Sequence, residues 1–275
     1  MFNHESLSLM NKNGYLVALM AAESLVEIQA ELEPWKHRPA INGYGCIHHS
    51  DDALLQNLAL YSPASLRWAL NENILAFCEE VFREPVLLGK IEYRRSLIRK
   101  APMPTHTDTE MDITVFVYLN GVNSKNGATY VLPGTHNSTV ELGMKVIEGP
   151  PGTILAYFPK LRHGRSETVE SGRELLWLTY CPVSRAKNLV ELVLPRRAFA
   201  GLSDRQYRAL GLGYAGIMGE DYRLSSDLDP RGLEFASPYR LVQALSYKAV
   251  ERIRRTGGAL KRKLTKTEQR LRNAR

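Results

Sequence analysis

The chain has 275 residues, 44% of them hydrophobic and 24% charged, a composition that excludes global disorder and can fill one generous core. No run of about 18 apolar residues occurs, and Met1 to Gly14 mixes His, Glu, Asn and Lys with its apolar residues, so neither a membrane span nor a signal-peptide core is expected. The formal charge of +7 is concentrated in residues 248–275, where eleven Lys and Arg oppose Glu251 and Glu268, leaving a tail of net +9 on a body of net −2.

In chain order, Ala22 to Leu32 follows Asn13-Gly14-Tyr15-Leu16-Val17 and places Leu25, Ile28 and Leu32 at helical spacing. A second helix is expected from Ser62-Pro63, an N-cap followed by proline at the first helical position, through Leu70, Ile74, Phe77 and Val81 to a stop at Pro85. The pattern then turns to short β-rich runs: Val86 to Arg99, Ile113 to Asn120, Ala128 to Leu132, Thr153 to Phe158 and Glu174 to Cys181. Between them lie the turn signals Asn120-Gly121, Asn126-Gly127, Pro133-Gly134, Gly149-Pro150-Pro151-Gly152 and Ser171-Gly172.

Helices do not alternate with strands, which disfavours a parallel α/β sheet. The fold class is mainly β with flanking helices: a sandwich or jelly-roll barrel with the N-terminal helices packed on one outer face. Beyond Arg197, Ser203 to Gln206 reads as a capping box and Val242, Leu245, Ala249 and Ile253 as an apolar stripe, so a helical extension precedes the basic tail.

Chemistry concentrates at His106-Thr107-Asp108. Two metal-competent side chains at i and i+2 of an extended backbone project from one face and can share an ion. His163, past the expected strand Thr153 to Phe158, completes two imidazoles and a carboxylate. This set suits iron(II) and leaves three coordination sites open, two for a bidentate 2-oxo acid and one for dioxygen. Arg173, after the Ser171-Gly172 turn, offers a planar fork for the distal carboxylate of such an acid.

At these residues the sequence resembles the phytanoyl-CoA dioxygenase family of iron(II)/2-oxoglutarate oxygenases. The matching segments are Asn13-Gly14-Tyr15-Leu16-Val17 with the Ala/Glu-rich helix, Asn126-Gly127-Ala128-Thr129-Tyr130-Val131-Leu132-Pro133-Gly134-Thr135-His136, Pro151-Gly152-Thr153-Ile154-Leu155-Ala156-Tyr157-Phe158, and Arg162-His163-Gly164 with Arg173. They occur in order over residues 8–184. The resemblance implies a double-stranded β-helix core, iron on His106, Asp108 and His163, and 2-oxoglutarate on Arg173. Further co-substrate contacts are implied from Arg94 and Ser96, on the strand before the first histidine, and from Phe116. It also implies consumption of O2, release of succinate and CO2, and hydroxylation of an unactivated C–H bond. Halogenating relatives replace the carboxylate by a small residue, so Asp108 disfavours halogenation.

The implied organisation is an oxygenase domain over residues 1–196, with its β core at 86–184, followed by a helical extension over 197–275 that is packed on the domain or continuous with it. A second H-x-D, His49-Ser50-Asp51, precedes a helix-like stretch Asp52 to Leu60, so Asp51 reads as an N-cap and His49 as a surface residue. His136 reads as a hydrogen-bonding turn residue, Arg162 and Arg165 as surface charge, and Trp68 and Trp177 as core. Cys46, Cys78 and Cys181 are widely spaced, which suggests small buried hydrophobes and a reducing cytoplasm.

The expected substrate is a small-molecule, lipid-like or carrier-linked metabolite, with Pro34 to Ile47 and Arg197 to Ser237 at the substrate mouth. The tail reads either as a solvated end or as a peripheral contact with anionic membrane or an acidic partner. It lacks the interleaved aromatics of a nucleic-acid platform, so no specific nucleic acid is expected. Two other readings stay open: a β-helix without turnover serving as a binding or regulatory protein, and the same barrel holding zinc or manganese.

Overall fold

The computed structural model describes residues 4–36, 46–49, 52–55, 58–96, 101–108, 112–137, 143–170, 172–185, 194–195, 200–211 and 224–225. Two compact units divide the chain, Met1–Pro230 and Arg231–Arg275, and the described residues lie in the first. The basic tail, the stripe from Val242 to Ile253 and most of the expected mouth segments lie outside the described residues. Among the described residues no helix is long and apolar enough to cross a membrane.

The N-terminal part comprises helix α1 (His4–Asn13), strand β1 (Tyr15–Leu19) and helix α2 (Ala22–Leu32). Gly14, at φ 81°, lets β1 leave α1 abruptly; a Cβ there would run into the ring of His136. The hairpin β2 (Cys46–His49) and β3 (Asp52–Leu55) follows. This corrects the expectation of a helix over 52–60: residues 52–55 are a strand paired to β4, and only Leu58–Leu60 turn helically, as one 3-10 turn. His49 ends β2, Ser50 and Asp51 lie outside the described residues, and the expected N-cap has no helix at 52–55 to begin.

The single helix expected from Ser62 to Pro85 is two, α3 (Pro63–Ala69) and α4 (Glu72–Phe82). Ser62 caps the first through the Ser65 amide, as its sequence suggests. Asn71 starts the second by accepting from the Asn73 amide, an interaction worth about 1 kcal/mol. The shared apolar stripe of Leu70, Ile74 and Phe77 masks that break in the sequence.

The β core then runs β4 (Val86–Ser96), β5 (Met103–His106), β6 (Ile113–Tyr118), β7 (Thr129–Val131), β8 (Lys145–Ile147), β9 (Thr153–Tyr157), β10 (His163–Arg165) and β11 (Glu174–Pro182). A short parallel pair, β12 (Leu194–Pro195) and β13 (Leu224–Ser225), and helix α5 (Asp204–Ala209) complete the described elements. The capping box of Ser203 and Gln206 is formed at the start of α5, which is tied to α4 by Arg205 contacts to Glu72 and Glu79.

Two antiparallel sheets result, with strand orders β1-β9-β6-β11-β4-β3-β2 and β5-β10-β7-β8. The larger sheet has two apolar faces, which explains its near-continuous hydrophobic strands. One face packs on the helices through Leu88, Ile91, Tyr93, Val115, Val117, Leu176, Leu178 and Tyr180, against Ile28, Leu32, Leu66, Ile74 and Phe77. The Tyr180 hydroxyl donates to the Ala69 carbonyl at 2.8 Å, satisfying both groups in the dry layer. The other face holds Phe116, Tyr118, Leu155, Tyr157 and Leu175, which cluster with Val131 and Ile147 of the smaller sheet. That second cluster is the floor under the site.

Candidate metal centre

β10 is only three residues long and strongly polar in sequence, yet it is buried and held on both sides. His163 pairs with His106 of β5 and with Val131 of β7, so backbone pairing brings two imidazoles from distant sequence to adjacent positions. The rings lie 4.4 Å apart between centroids.

Each imidazole is oriented by its own chain. His106 Nδ1 lies 3.0 Å from the Pro104 carbonyl and His163 Nδ1 lies 2.7 Å from the Leu161 carbonyl. A carbonyl only accepts, so each Nδ1 carries hydrogen and each Nε2 is directed into the space between the strands.

Asp108 follows the end of β5, its backbone N–H donating to the Pro159 carbonyl at 2.9 Å. Its carboxylate stands 3.7 Å from His106 Nε2 and 3.5 Å from His163 Nε2. The hydrogen bond with His163 holds the Asp108 carboxyl below its ordinary range, against the opposing effect of burial; the charges of His163, His106 and Arg94 act in the same lowering direction. Ligand atoms of all three residues lie within 4.8 Å of one another, a spacing that fits one metal ion. The His163 side chain is 6% exposed, whereas His106 and Asp108 are 35% and 32% exposed, so the site opens on the β5 side.

Tyr157 closes the inner side. Its ring is 4.7 Å from that of His163 and 5.4 Å from that of Phe116, and its hydroxyl hydrogen-bonds with Thr114. Burial pushes the phenol far above its ordinary pKa, with the Asp108 charge adding to the shift, so Tyr157 stays protonated.

Arg173 lies immediately before β11. It donates from Nη1 to Thr129 Oγ1 at 2.9 Å and sits 5.9 Å from the Phe116 ring. The turn at Gly127, φ 92°, passes close beneath it, with an added Cβ meeting Arg165 Nη1 at 3.5 Å and Arg173 Cβ at 3.7 Å. Phe116 thus bridges the two ends of the site, touching Tyr157 on one side and facing Arg173 on the other.

Arg94 sits on the same interior face. It donates from Nε and Nη2 to Glu92 Oε2 and stacks 3.4 Å over the Trp177 ring. Ser96 is 7% exposed, and its backbone N–H donates to the Arg173 carbonyl at 2.8 Å. It is therefore linked to the expected anchor through backbone.

Several expectations need correction. Arg165 is not surface charge: it is 4% exposed and donates to Thr168 Oγ1, the Ser166 carbonyl and the Ala101 carbonyl, fastening β10 to the chain entering β5. Arg162 is exposed, as expected. Trp68 is core, but Trp177 faces the interior wall beside Phe116, 5.2 Å away, beneath Arg94. His136 serves its turn as expected, contacting the Asn11 carbonyl and stacking on Phe158. Cys78 and Cys181 are buried thiols. Sequence patterns alone do not single out Tyr157 and Thr129, which lie against His163 and Arg173.

With this geometry in place, comparison with solved structures is informative. An EctD from S. alaskensis crystallised with 2-oxoglutarate and 5-hydroxyectoine aligns at TM-score 0.58 and 17% identity over 67% of this chain and 77% of that one. The chain has a jelly-roll fold. Two other solved structures align similarly. The non-haem α-ketoglutarate dependent epimerase SnoN of nogalamycin biosynthesis gives TM-score 0.54 at 18% identity, covering 65% of this chain and 82% of SnoN. HygX from Streptomyces hygroscopicus, with nickel and 2-oxoglutarate bound, gives 0.54 at 16% identity, covering 66% and 88%. A scan against protein-family models finds no match, and neither does a search of curated protein sequences. The jelly roll is thus shared at the level of fold, while the phytanoyl-CoA dioxygenase resemblance is not confirmed.

Proposed function

We propose that this chain is an iron(II)/2-oxoglutarate dependent oxygenase that hydroxylates an unactivated C–H bond of a small-molecule or carrier-linked metabolite, releasing succinate and CO2. The observation that carries the reading is the convergence of His106, Asp108 and His163 within 4.8 Å, with both imidazoles oriented by backbone carbonyls.

The donor set fits iron(II): two imidazole nitrogens and one carboxylate, three ligands that would leave further coordination positions for a bidentate co-substrate and dioxygen. Iron(II), when bound, would supply the activation of dioxygen and of the 2-oxo acid. The residues do the rest. His106 and His163 would hold the cation through Nε2, and Asp108 would balance its charge. Arg173 receives the distal carboxylate of 2-oxoglutarate beside Thr129, with Phe116 as an apolar wall for its methylene chain. Tyr157 and Leu161, buried with Phe116 in the inner cluster, exclude water from the floor. Arg94 completes the positive surroundings of the co-substrate.

Anaerobic titration of the full-length protein with iron(II) and 2-oxoglutarate tests the reading. A metal-to-ligand absorption band is expected in the wild type and absent after Asp108→Ala. No band in the wild type overturns it.

A further inference from the structure

The larger sheet arranges its interior side chains in rows that can be read from strand register. Tyr157 is opposite Thr114, Thr114 is opposite Thr179, and Thr179 is opposite Lys90. These four residues form one row across β9, β6, β11 and β4. Leu155, Phe116, Trp177 and Glu92 form the next row, and Tyr118, Leu175 and Arg94 are aligned beyond it.

Tyr157, whose ring lies against His163, places the first row at the level of the triad. Arg173, preceding Glu174 at the opposite end of β11, belongs to the far end. In the oxygenase reading above, a co-substrate spanning from triad to Arg173 would lie over the second and third rows. The first row is left to the other substrate.

Its polar content is specific. Lys90 is half-buried on a face otherwise lined by Trp177 and Phe116, with Nζ 5.7 Å from the centroid of the Trp177 ring. Glu92, the neighbouring carboxylate, is 3% exposed and committed to Arg94. Lys90 has no carboxylate within ion-pair distance among the described residues. Thr179, directly opposite, is half-buried and makes no side-chain hydrogen bond among them. A register irregularity falls between Thr179 and Tyr180, the kind of local bend that re-aims side chains near sites. A cation and a hydroxyl facing each other across one strand pair, neither with a hydrogen-bond or ion-pair partner among the described residues, match the donors an anionic oxygen group requires.

We propose that Lys90 and Thr179 form the subsite for an acidic group, carboxylate or phosphate, on the substrate that is oxidised. The inference rests on the oxygenase reading above and narrows its substrate class: a purely hydrocarbon substrate would leave the Lys90 ammonium desolvated without a counter-charge.

The test uses full-length protein loaded without oxygen with iron(II) and 2-oxoglutarate, titrated separately with inorganic phosphate and with n-butyrate while tryptophan emission is followed. One of the two anions is expected to bind in the range of about 1–10 mM, and which one binds separates a phosphorylated from a carboxylated substrate. Lys90→Met is expected to weaken that binding about tenfold, the loss of a charge-assisted hydrogen bond, and Lys90→Arg to restore it to within about threefold. Thr179→Val should weaken it about threefold. Unchanged affinity in Lys90→Met, or binding of neither anion below about 100 mM, overturns the inference. So does weaker binding of the co-substrate in place of the probe effect, since Lys90 would then belong to the co-substrate. The metal-to-ligand band separates the two failures: if it is absent in the wild type the oxygenase reading falls, and if it is present while the probes ignore Lys90 only this subsite falls.

Discussion

His106 and His163 stand directly opposite each other on neighbouring antiparallel strands, and each commits its Nδ1 to the carbonyl two residues before it. Strand pairing sets their separation and the local backbone sets their rotation, so the two Nε2 atoms need no metal to converge. Replacing either histidine by alanine should lower iron(II) affinity by more than about 100-fold while leaving the far-ultraviolet circular dichroism of the protein intact. Metal analysis after anaerobic dialysis checks this, and retention of stoichiometric iron in His163→Ala would contradict it.

Arg173 holds Thr129 with one arm beside Phe116. Lysine retains the charge but not the planar fork, so Arg173→Lys is expected to raise the co-substrate KM about tenfold or more. Iron(II) affinity should change less than about twofold, because no metal ligand is altered. Parallel loss of both affinities would show that Arg173 supports the strand and not the co-substrate.

Gly164 sits between His163 and Arg165 where β5 and β7 approach closely. A Cβ there would collide with the Tyr130 hydroxyl and lie 2.7 Å from the Met103 carbonyl. Tyr130 already donates to that carbonyl, so the collision falls on a connection between β5 and β7. Gly164→Ala should destabilise the fold by about 1–3 kcal/mol and displace His163 from His106. Denaturant unfolding measures the first effect and metal titration the second; a variant of wild-type stability would refute the tight fit.

His136 contributes a pH dependence of stability. Its pKa is lowered chiefly by burial, partly opposed by its contact with the Asn11 carbonyl. A histidine pKa lower in the folded than in the unfolded chain means that the unfolded chain binds the proton first. Its contribution is present above the unfolded value of about 6.5 and is lost as pH falls through the folded value. His136→Gln should therefore lose less Tm than the wild type between pH 7.5 and 5. Equal slopes in thermal melts would remove His136 from this role.

Much of the core is readable from sequence because its strands obey local rules. Ile113–Tyr118 and Thr153–Tyr157 are fully buried apolar runs, and apolar character together with Asn-Gly and Pro-Gly turns marks them without tertiary knowledge. His106, Asp108 and His163 are legible as a ligand set by residue type and spacing. β10 is not legible as a strand, because His163-Gly164-Arg165 has no strand propensity and is extended only through its pairing on both sides. The β2–β3 hairpin is hidden for a similar reason. Arg165 looks like surface charge in sequence because burial of a guanidinium depends on three acceptors, two of them backbone carbonyls that no sequence pattern displays. Lys90 and Thr179 become visible only when register places them in one row.

The imidazoles belong to the four-stranded sheet, whereas Lys90, Glu92, Arg94, Phe116 and Trp177 belong to the seven-stranded one. In the proposed reading the ion is held on one hydrogen-bonded sheet and the substrate is recognised on the other, the two being tied at the site by the Asp108 backbone N–H, which donates to the Pro159 carbonyl just past β9. Under that reading, substitutions on β4 and β11 are expected to alter what the protein accepts without disturbing the ladder that spaces His106 from His163. Under the proposed function, that division gives an engineer a wall to rewrite at little risk to the placement of His106 and His163.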